Sequence, residues 1–563
     1  MKHNTITEVL TDKATVSGNN NLFSFRTAET TKTWSYADLQ QQALAVATHL
    51  QAVTNSGDRV LILLEPGLNY IAAYMGCLFA NCIAIPFFLP RNELDVQYVT
   101  KVLSDASCNT LIIATTLTIA LPEKINKIYF DQIHVTAAND FKFHKTKSTD
   151  IAHIIYTSGT TSAPKGVITT HKNIMEACEA ISHLVYREEL IKKACSWLPP
   201  YHVSGLIGGY LWPLYCNIQT LFFSSLRFIR EPLSWLKMID EFDANITLAP
   251  NFAYDLAVKA LTKAVDLELD LSRIIVAANG SEAVHAKTIN AFLAATQQYG
   301  VNRDIFFPCY GLTEATLFMT GHTFEETNKI LKVATASLIK DCVSLEPNCK
   351  QETTELVSCG PVIPKHKLAI VDIDSLQALP AYHIGEIWVK GPCIAAGYWQ
   401  KNAETNITFQ AQLKNSNEDY LRTGDLGFLD EQGWVYVCGR LKNMLVIRGK
   451  NYYAEDIEHA IENAHSAIAV YGTVALGLDK NNEEYLVVIQ EIEESVSNYD
   501  EIFNAIKTCV MQQNHLAVSE IILIAKNTLA RTATGKIKRY LCKEAVIKKQ
   551  LLMIAAWRSN KIK

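Results

Sequence analysis

The stretch that most constrains this chain is Tyr156-Thr-Ser-Gly-Thr-Thr-Ser-Ala-Pro-Lys165-Gly166, rich in hydroxyls and set between two apolar runs. Ile151-Ala-His-Ile-Ile155 precedes it and Val167-Ile168-Thr169-Thr170 follows, so the pattern predicts the tip of a hairpin or strand pair. The hydroxyls of Thr157, Ser158, Thr160 and Thr161, backbone N–H groups around Gly159 and the Lys165 ammonium can wrap a polyphosphate without a helix dipole. A Walker A loop needs Gly-Lys followed by Ser or Thr, whereas here Lys165 precedes Gly166 and Val167 comes next. A plain P-loop ATPase is thereby disfavoured. An ordinary polar turn has the same composition, so the loop alone leaves both readings open.

With 563 residues the chain exceeds what one core supports, which predicts a large domain with sub-lobes and a smaller one. A net charge of −5 supplies no general basic field for nucleic acid, and the locally basic stretch 536–563 reads as a solvated helix. The 14 cysteines include no CxxC pair and no cluster with histidine, against a zinc module or a disulfide framework and in favour of reduced cytoplasmic thiols. The start of the chain has no apolar signal core. Tyr70 to Ile85 is the most membrane-like run, but it falls short of the roughly 20 residues a span needs. It reads as a buried helix, Tyr70 to Ala80, and a buried strand, Cys82 to Phe87.

Residues 1–150 alternate helical and strand patterns, such as the helix Tyr36 to Leu50 and the continuous apolar runs Arg59 to Leu64 and Leu111 to Ala114. Such runs suit parallel strands covered on both faces, hence an α/β layered architecture. Ser196 to Gly209 holds His202, Gly205 and aromatics that suit a backbone passing close to a ligand, and Pro250-Asn251-Phe252 starts a helix able to line an apolar slot. Gly280-Ser281-Glu282 and Tyr310-Gly311-Leu-Thr313-Glu314 follow strands, where open α/β sheets bind ligands. Glycine-punctuated alternation from Gly385 to Arg440 predicts capping hairpins. The remainder reads as strand, helix (454–462), strands (469–476 and 485–491), helix (499–512) and strand (520–525), a compact α+β unit ending in Gly535-Lys536.

In combination these elements resemble the adenylate-forming superfamily of acyl-CoA synthetases, luciferases and peptide-synthetase adenylation domains, over nearly the whole chain and in the same order. The matching pieces are the 156–166 loop, Tyr310-Gly-Leu-Thr-Glu314, Thr423-Gly-Asp425, Gly439-Arg440 with Lys442, and Gly535-Lys536. One such motif is weak evidence; five in order are strong. Asn251-Phe-Ala-Tyr-Asp and Leu421-Arg-Thr-Gly-Asp-Leu-Gly-Phe are similar to the fatty acyl-AMP ligase branch, as is an extra segment around 322–356. The chain departs from the family's pattern where Val203 replaces an acidic residue near the acyl entrance, and where Cys359-Gly-Pro stands in place of Cys-Gly-Arg-Pro.

The resemblance implies a multi-lobed α/β N-terminal domain (1–441, with a ligase-type insertion at 322–356) and a mobile α+β lid (442–563). It implies ATP-dependent formation of a fatty acyl-adenylate, then delivery to the phosphopantetheine thiol of an acyl carrier protein acting in trans. Thr157, Ser158, Gly159, Thr160, Thr161 and Lys165 would hold the phosphates, and Glu314 would ligate Mg²⁺, a hard cation suited to carboxylate oxygen. Tyr310, with Gly311 and Thr313, would sit against adenine beside Gly280, Ser281 and Glu282. Asp425 would accept from the ribose hydroxyls with Arg440 behind it. His202, Gly205, Asn251 and Phe252 would form the acyl pocket, Lys442 the hinge, and Lys536 the catalytic charge bridging carboxylate and α-phosphate. An acyl-CoA synthetase is the nearest alternative, and a non-catalytic adenylate-binding protein the alternative of another class. Retention of Glu314, Asp425 and Lys536 speaks against the latter.

Overall fold

The computed structural model describes residues 3–117, 125–157, 164–338, 342–345, 353–447, 450–462, 464–480, 483–493, 498–531 and 537–559. The apolar run at 59–64 forms the parallel strand Arg59–Leu63 inside a seven-stranded sheet. Across that sheet the order is Gly397–Tyr398, Lys165–Thr170, Ile151–Thr157, Ile83–Pro86, Arg59–Leu63, Thr110–Ile113 and Asn126–Tyr129. Strands 151–157 and 165–170 pair antiparallel as far as Thr157 opposite Lys165, so the hydroxyl-rich loop is clamped at its base as the sequence implies. The helix Tyr36–Gln51 begins at a capping box in which Ser35 and Asp38 satisfy each other's backbone N–H groups. Leu68–Phe79 is buried at every position but Asn69, and its chain turns away through left-handed Asn81 at φ 56°. Among the described residues no helix is long and apolar enough to cross a membrane.

A second seven-stranded sheet runs Phe306–Pro308, Val276–Asn279, Ile246–Ala249, Lys193–Ser196, Gln219–Phe223, Asn21–Arg26 and Thr31–Ser35. All its pairs are parallel except the last. Antiparallel strands Lys367–Val371, Gly385–Lys390, Asp419–Leu429 and Val435–Arg440 make a smaller β-lobe. The small C-terminal domain has its own core, with helices Ala454–Ile461 and Tyr499–Asn514 on a sheet of Ile468–Lys480, Glu483–Ile492, Glu520–Ala525 and Met553–Arg558.

Two sequence expectations need correction. The stretch after His202 is a π-helix, Ser204–Leu211, continued by the helix Trp212–Cys216. Gly205 serves close packing of the chain on itself, since a Cβ there would lie 2.1 Å from the carbonyl oxygen of Pro199. The basic C-terminal stretch is a short helix, Arg539–Ile547, and then a strand, Met553–Arg558, that completes the small sheet. Alternating exposure along that edge strand hides it from a helical reading.

Two of the contacts by which the small domain rests on the large one are polar or aromatic pairs. Tyr471 donates its hydroxyl to Asp255 Oδ2 at 2.5 Å, and the His285 and His459 rings stack at 4.1 Å. Burial, reinforced by the facing His459, pushes His285 from 6.5 down to about 3. An imidazole freed by opening takes up its proton near 6.5, so the open state binds more protons between these values. The His285 contribution to docking is therefore full above about pH 6.5 and is lost as pH falls toward 3. Energy transfer between dyes on the two domains should report this loosening. His285→Gln should remove part of the dependence, and an unchanged pH profile in that variant would exclude the stacked pair as its source.

Candidate active site

At the carboxyl edge of the second sheet, Val276–Asn279 and Phe306–Pro308 run parallel and deliver their following turns side by side. Gly280 is required there because a Cβ would fall 2.8 Å from the carbonyl oxygen of Cys309. Ser281 follows at φ 70°, and Glu282 turns back so that its Oε1 accepts from the backbone N–H of Phe252 at 2.6 Å. Tyr310 opens a hairpin, Tyr310–Leu312 with Leu317–Thr320, so tight that a Cβ on Gly311 would lie 1.7 Å from the carbonyl oxygen of Leu317.

Tyr310 donates its hydroxyl to Asp425 Oδ2 at 2.8 Å across 115 residues of sequence. The other oxygen, Oδ1, takes the Arg440 guanidinium at 2.9 Å. Asp425 and Arg440 face each other across the strands Asp419–Leu429 and Val435–Arg440. Burial and then the Asp425 charge push the Tyr310 phenol well up, while Asp425 holds Arg440 firmly protonated. The carboxylate expected to accept ribose hydroxyls is thus fixed from both sides.

The next turn, Thr313–Ala315, presents Glu314, whose Oε1 accepts from the Tyr398 hydroxyl at 2.9 Å. Lys165 lies 5.2 Å above the centre of the Tyr398 ring. Tyr398 reaches this place because Gly397–Tyr398 pairs with Lys165–Thr170, the strand leaving the hydroxyl-rich loop. Sequence reading missed this residue; its one signal is an aromatic directly after the glycine of Gly397-Tyr398-Trp399. Lys442 stands on the turn Leu441–Asn443, within electrostatic reach of Arg440, Asp425, Glu314 and Lys165.

The structure thus brings Lys165, Glu314, Tyr310, Asp425, Arg440 and Lys442 into one neighbourhood. Thr157 ends the strand before the loop, while Ser158, Gly159, Thr160, Thr161 and Lys536 lie outside the described residues. Each of the four residues expected to form an acyl pocket is engaged with other parts of the protein. His202 Nδ1 pairs with Ser204 Oγ at 2.7 Å, and Gly205 packs on Pro199. Asn251 is buried, donating to Thr288 and accepting from Asn279 and the His285 backbone. These bonds tie a helix start to a strand end. Phe252 joins an aromatic cluster with Trp197, Phe228 and Tyr471.

Among the described residues no three His, Cys, Asp or Glu side chains gather in a way that could hold a metal. One carboxylate, Glu314, fits Mg²⁺ carried in by phosphate oxygens, the manner in which that reluctantly dehydrated ion is usually held.

Residues 11–399 match the family of AMP-binding enzymes, and 442–556 match the AMP domain of the Disco-interacting protein 2-like family. The chain is 34% identical over 529 residues to the medium-chain-fatty-acid–[acyl-carrier-protein] ligase JamA of Moorena producens, covering 90% of this chain and 89% of that one. It is 31% identical over 548 residues to a putative fatty-acid–CoA ligase, FadD21, of Mycobacterium tuberculosis, covering 91% and 92%. Among solved structures, a fatty acyl-adenylate ligase of Legionella pneumophila, in complex with acyl adenylate and pyrophosphate, matches at 34% identity. That match has a TM-score of 0.77 and covers 99% of this chain and 98% of that one.

Removing the Tyr398 hydroxyl leaves Glu314 without the donor that orients it. Tyr398→Phe should raise the Mg²⁺ concentration for half-maximal turnover by about tenfold, the usual cost of losing a partner behind a metal ligand. A magnesium titration of initial rates checks this, and an unchanged midpoint would remove Tyr398 from the site.

Proposed function

Because this chain belongs to the family of AMP-binding enzymes, we propose that it activates a fatty acid with ATP to an acyl-adenylate and passes the acyl group to the phosphopantetheine thiol of an acyl carrier protein. The observation that carries this reading is the meeting of the Tyr310–Asp425–Arg440 unit with the Lys165–Tyr398–Glu314 unit. One suits a nucleoside and the other the polyphosphate attached to it.

In the first step a carboxylate oxygen of the acid attacks the α-phosphorus, and the bond to the β-phosphate bridging oxygen breaks to release pyrophosphate. Two anions must meet, so the protein contributes positioning and charge neutralisation in place of a nucleophile. Tyr310 offers its ring to adenine, and Asp425, braced by Arg440, accepts from the ribose. The 156–166 loop and Lys165 hold the departing phosphates. Glu314 would hold Mg²⁺, which when bound would add to the neutralisation of phosphate charge. Lys536 would bridge the substrate carboxylate and the α-phosphate. Of the described residues on either side of it, Arg531 and Ile537 pair in a β-bridge, and Arg531 donates to the carbonyl of Tyr471, the residue that docks on Asp255. In the second step the thiol sulfur attacks the acyl carbon and AMP leaves.

We place the boundary between the domains at 441/442, with Lys442 as the pivot. The segment 322–356 supports a carrier over coenzyme A as acceptor. Its hairpin, Ile330–Ala334 with Thr353–Val357, extends a core that joins Val333, Leu338 and Val343 to Phe428 and Trp434 of the β-lobe and to Tyr453 beyond the boundary. Such a shared core resists reorientation of the small domain. The Moorena relative, named for a carrier protein, points the same way, while the Mycobacterium relative is named for coenzyme A.

Lys536→Ala should cut fatty-acid-dependent pyrophosphate exchange by roughly 10²–10³-fold, the cost of one preorganised charge contact; exchange at the normal rate would refute its role. Offered both acceptors, the enzyme should acylate a holo carrier protein and form little acyl-CoA, and efficient acyl-CoA formation would overturn the choice of acceptor.

A further inference from the structure

Tyr156 is the last residue before Thr157 on the strand Ile151–Thr157, and it pairs with Gly166 as Thr157 pairs with Lys165. Its ring lies against that glycine, where a Cβ would stand 3.0 Å from Tyr156 Cζ. The phenol donates to Asp105 Oδ2 at 2.8 Å, and the other oxygen of that carboxylate holds Lys401 Nζ at 3.0 Å. Asp105 is the last residue of the helix Glu93–Asp105, the end at which the helix dipole disfavours negative charge. A carboxylate there, with its side chain only 18% exposed, needs a cation, and Lys401, 20% exposed, supplies it.

Lys401 reaches Asp105 from a turn that also serves Glu314. After the strand Gly397–Tyr398 the chain folds back through Gln400, left-handed at φ 52°, and the N–H of Lys401 donates to the carbonyl of Tyr398 at 3.3 Å. Tyr398 gives its hydroxyl to Glu314 and its ring to Lys165. One turn therefore grips the site at two points, at Glu314 through Tyr398 and at the base of the hydroxyl-rich loop through Lys401, Asp105 and Tyr156. Between the two, the N–H of Trp399 donates to the carbonyl of Gly166 at 2.8 Å. Arg59 lies 5.7 Å over the Trp399 ring and donates to the carbonyls of Ala106 and Ser107, just past the helix end. Arg59 thus anchors the helix end independently of Lys401, so loss of the lysine loosens Tyr156 without freeing the helix.

We infer that Lys401 is a positioning residue for the polyphosphate side of the site: through Asp105 and Tyr156 it fixes the strand ends that present Thr157 and Lys165. The inference rests on the adenylation reading above and adds to it a residue that stands outside all of the motifs. Lys401 acts through contact, by bracing a carboxylate that in turn holds a phenol. A cation that merely added to the local field would show the opposite response to loss of the Asp105 charge, since removing a negative group near bound phosphates then favours them.

The test is the affinity for MgATP, read by titration calorimetry without fatty acid, together with pyrophosphate exchange at varied ATP and at varied acid. Lys401→Met should weaken MgATP binding about tenfold and raise KM for ATP by the same factor, with KM for the acid within about twofold of wild type. Lys401→Arg, which restores a cation, should return both ATP values to within about threefold of wild type. Asp105→Asn should weaken MgATP binding as Lys401→Met does, and the double variant should lose no more than either single one. Tighter binding in Asp105→Asn, unchanged binding in Lys401→Met, or KM values for ATP and acid raised alike overturns the inference. Should Lys401→Met not fold, Asp105→Asn alone decides, with unchanged or tighter binding going against the inference. A wild type that binds MgATP yet shows no acid-dependent exchange defeats the fatty-acid reading, and the calorimetric comparison still decides the role of Lys401.

Discussion

The carboxylate of Asp425 is the junction on which the rest of the site depends. It is 4% exposed and accepts from Tyr310 through one oxygen and from Arg440 through the other. A buried carboxylate stripped of either partner would be strongly disfavoured, so these three residues hold one another in place. They come from separate parts of the molecule. Tyr310 follows the edge strand of the second sheet, Asp425 lies in the β-lobe, and Arg440 ends the last strand before Lys442. The same contact therefore also ties the β-lobe to the strand that leads into Lys442, where we place the boundary between the domains.

Much of this was legible in the sequence because it is local. The short β-rich apolar run at 59–64 reads as a doubly covered strand, and the hairpin around the hydroxyl-rich loop is written in its two flanks, paired as far as Thr157 and Lys165. Gly280 and Gly311 sit where backbones nearly touch, so their place in the motifs has a physical cause. What was not legible needed partners far along the chain. Tyr398 reaches Glu314 across 84 residues, and only strand pairing beside the loop makes the two neighbours. The π-helix at Ser204–Leu211 carried no helical signal in the sequence because two adjacent glycines mask the periodicity. Nor does the sequence show that Asn251, at a helix start, bonds to Asn279, Thr288 and the His285 backbone, all of them distant along the chain.

The polar groups of the site lie at the carboxyl edge of the second sheet. Above that edge the small domain is held by Tyr471 on Asp255 and by the paired histidines, while the 322–356 hairpin shares its core with Tyr453. These contacts make the position of the small domain part of the site's geometry.

The most direct measurement is a product analysis of the wild-type protein incubated with ATP, Mg²⁺ and fatty acid, in the absence of any thiol acceptor. Acyl-adenylate and pyrophosphate, formed only when the acid is present, are the result this account requires. Release of ADP and phosphate, or nucleotide turnover indifferent to the acid, would contradict it.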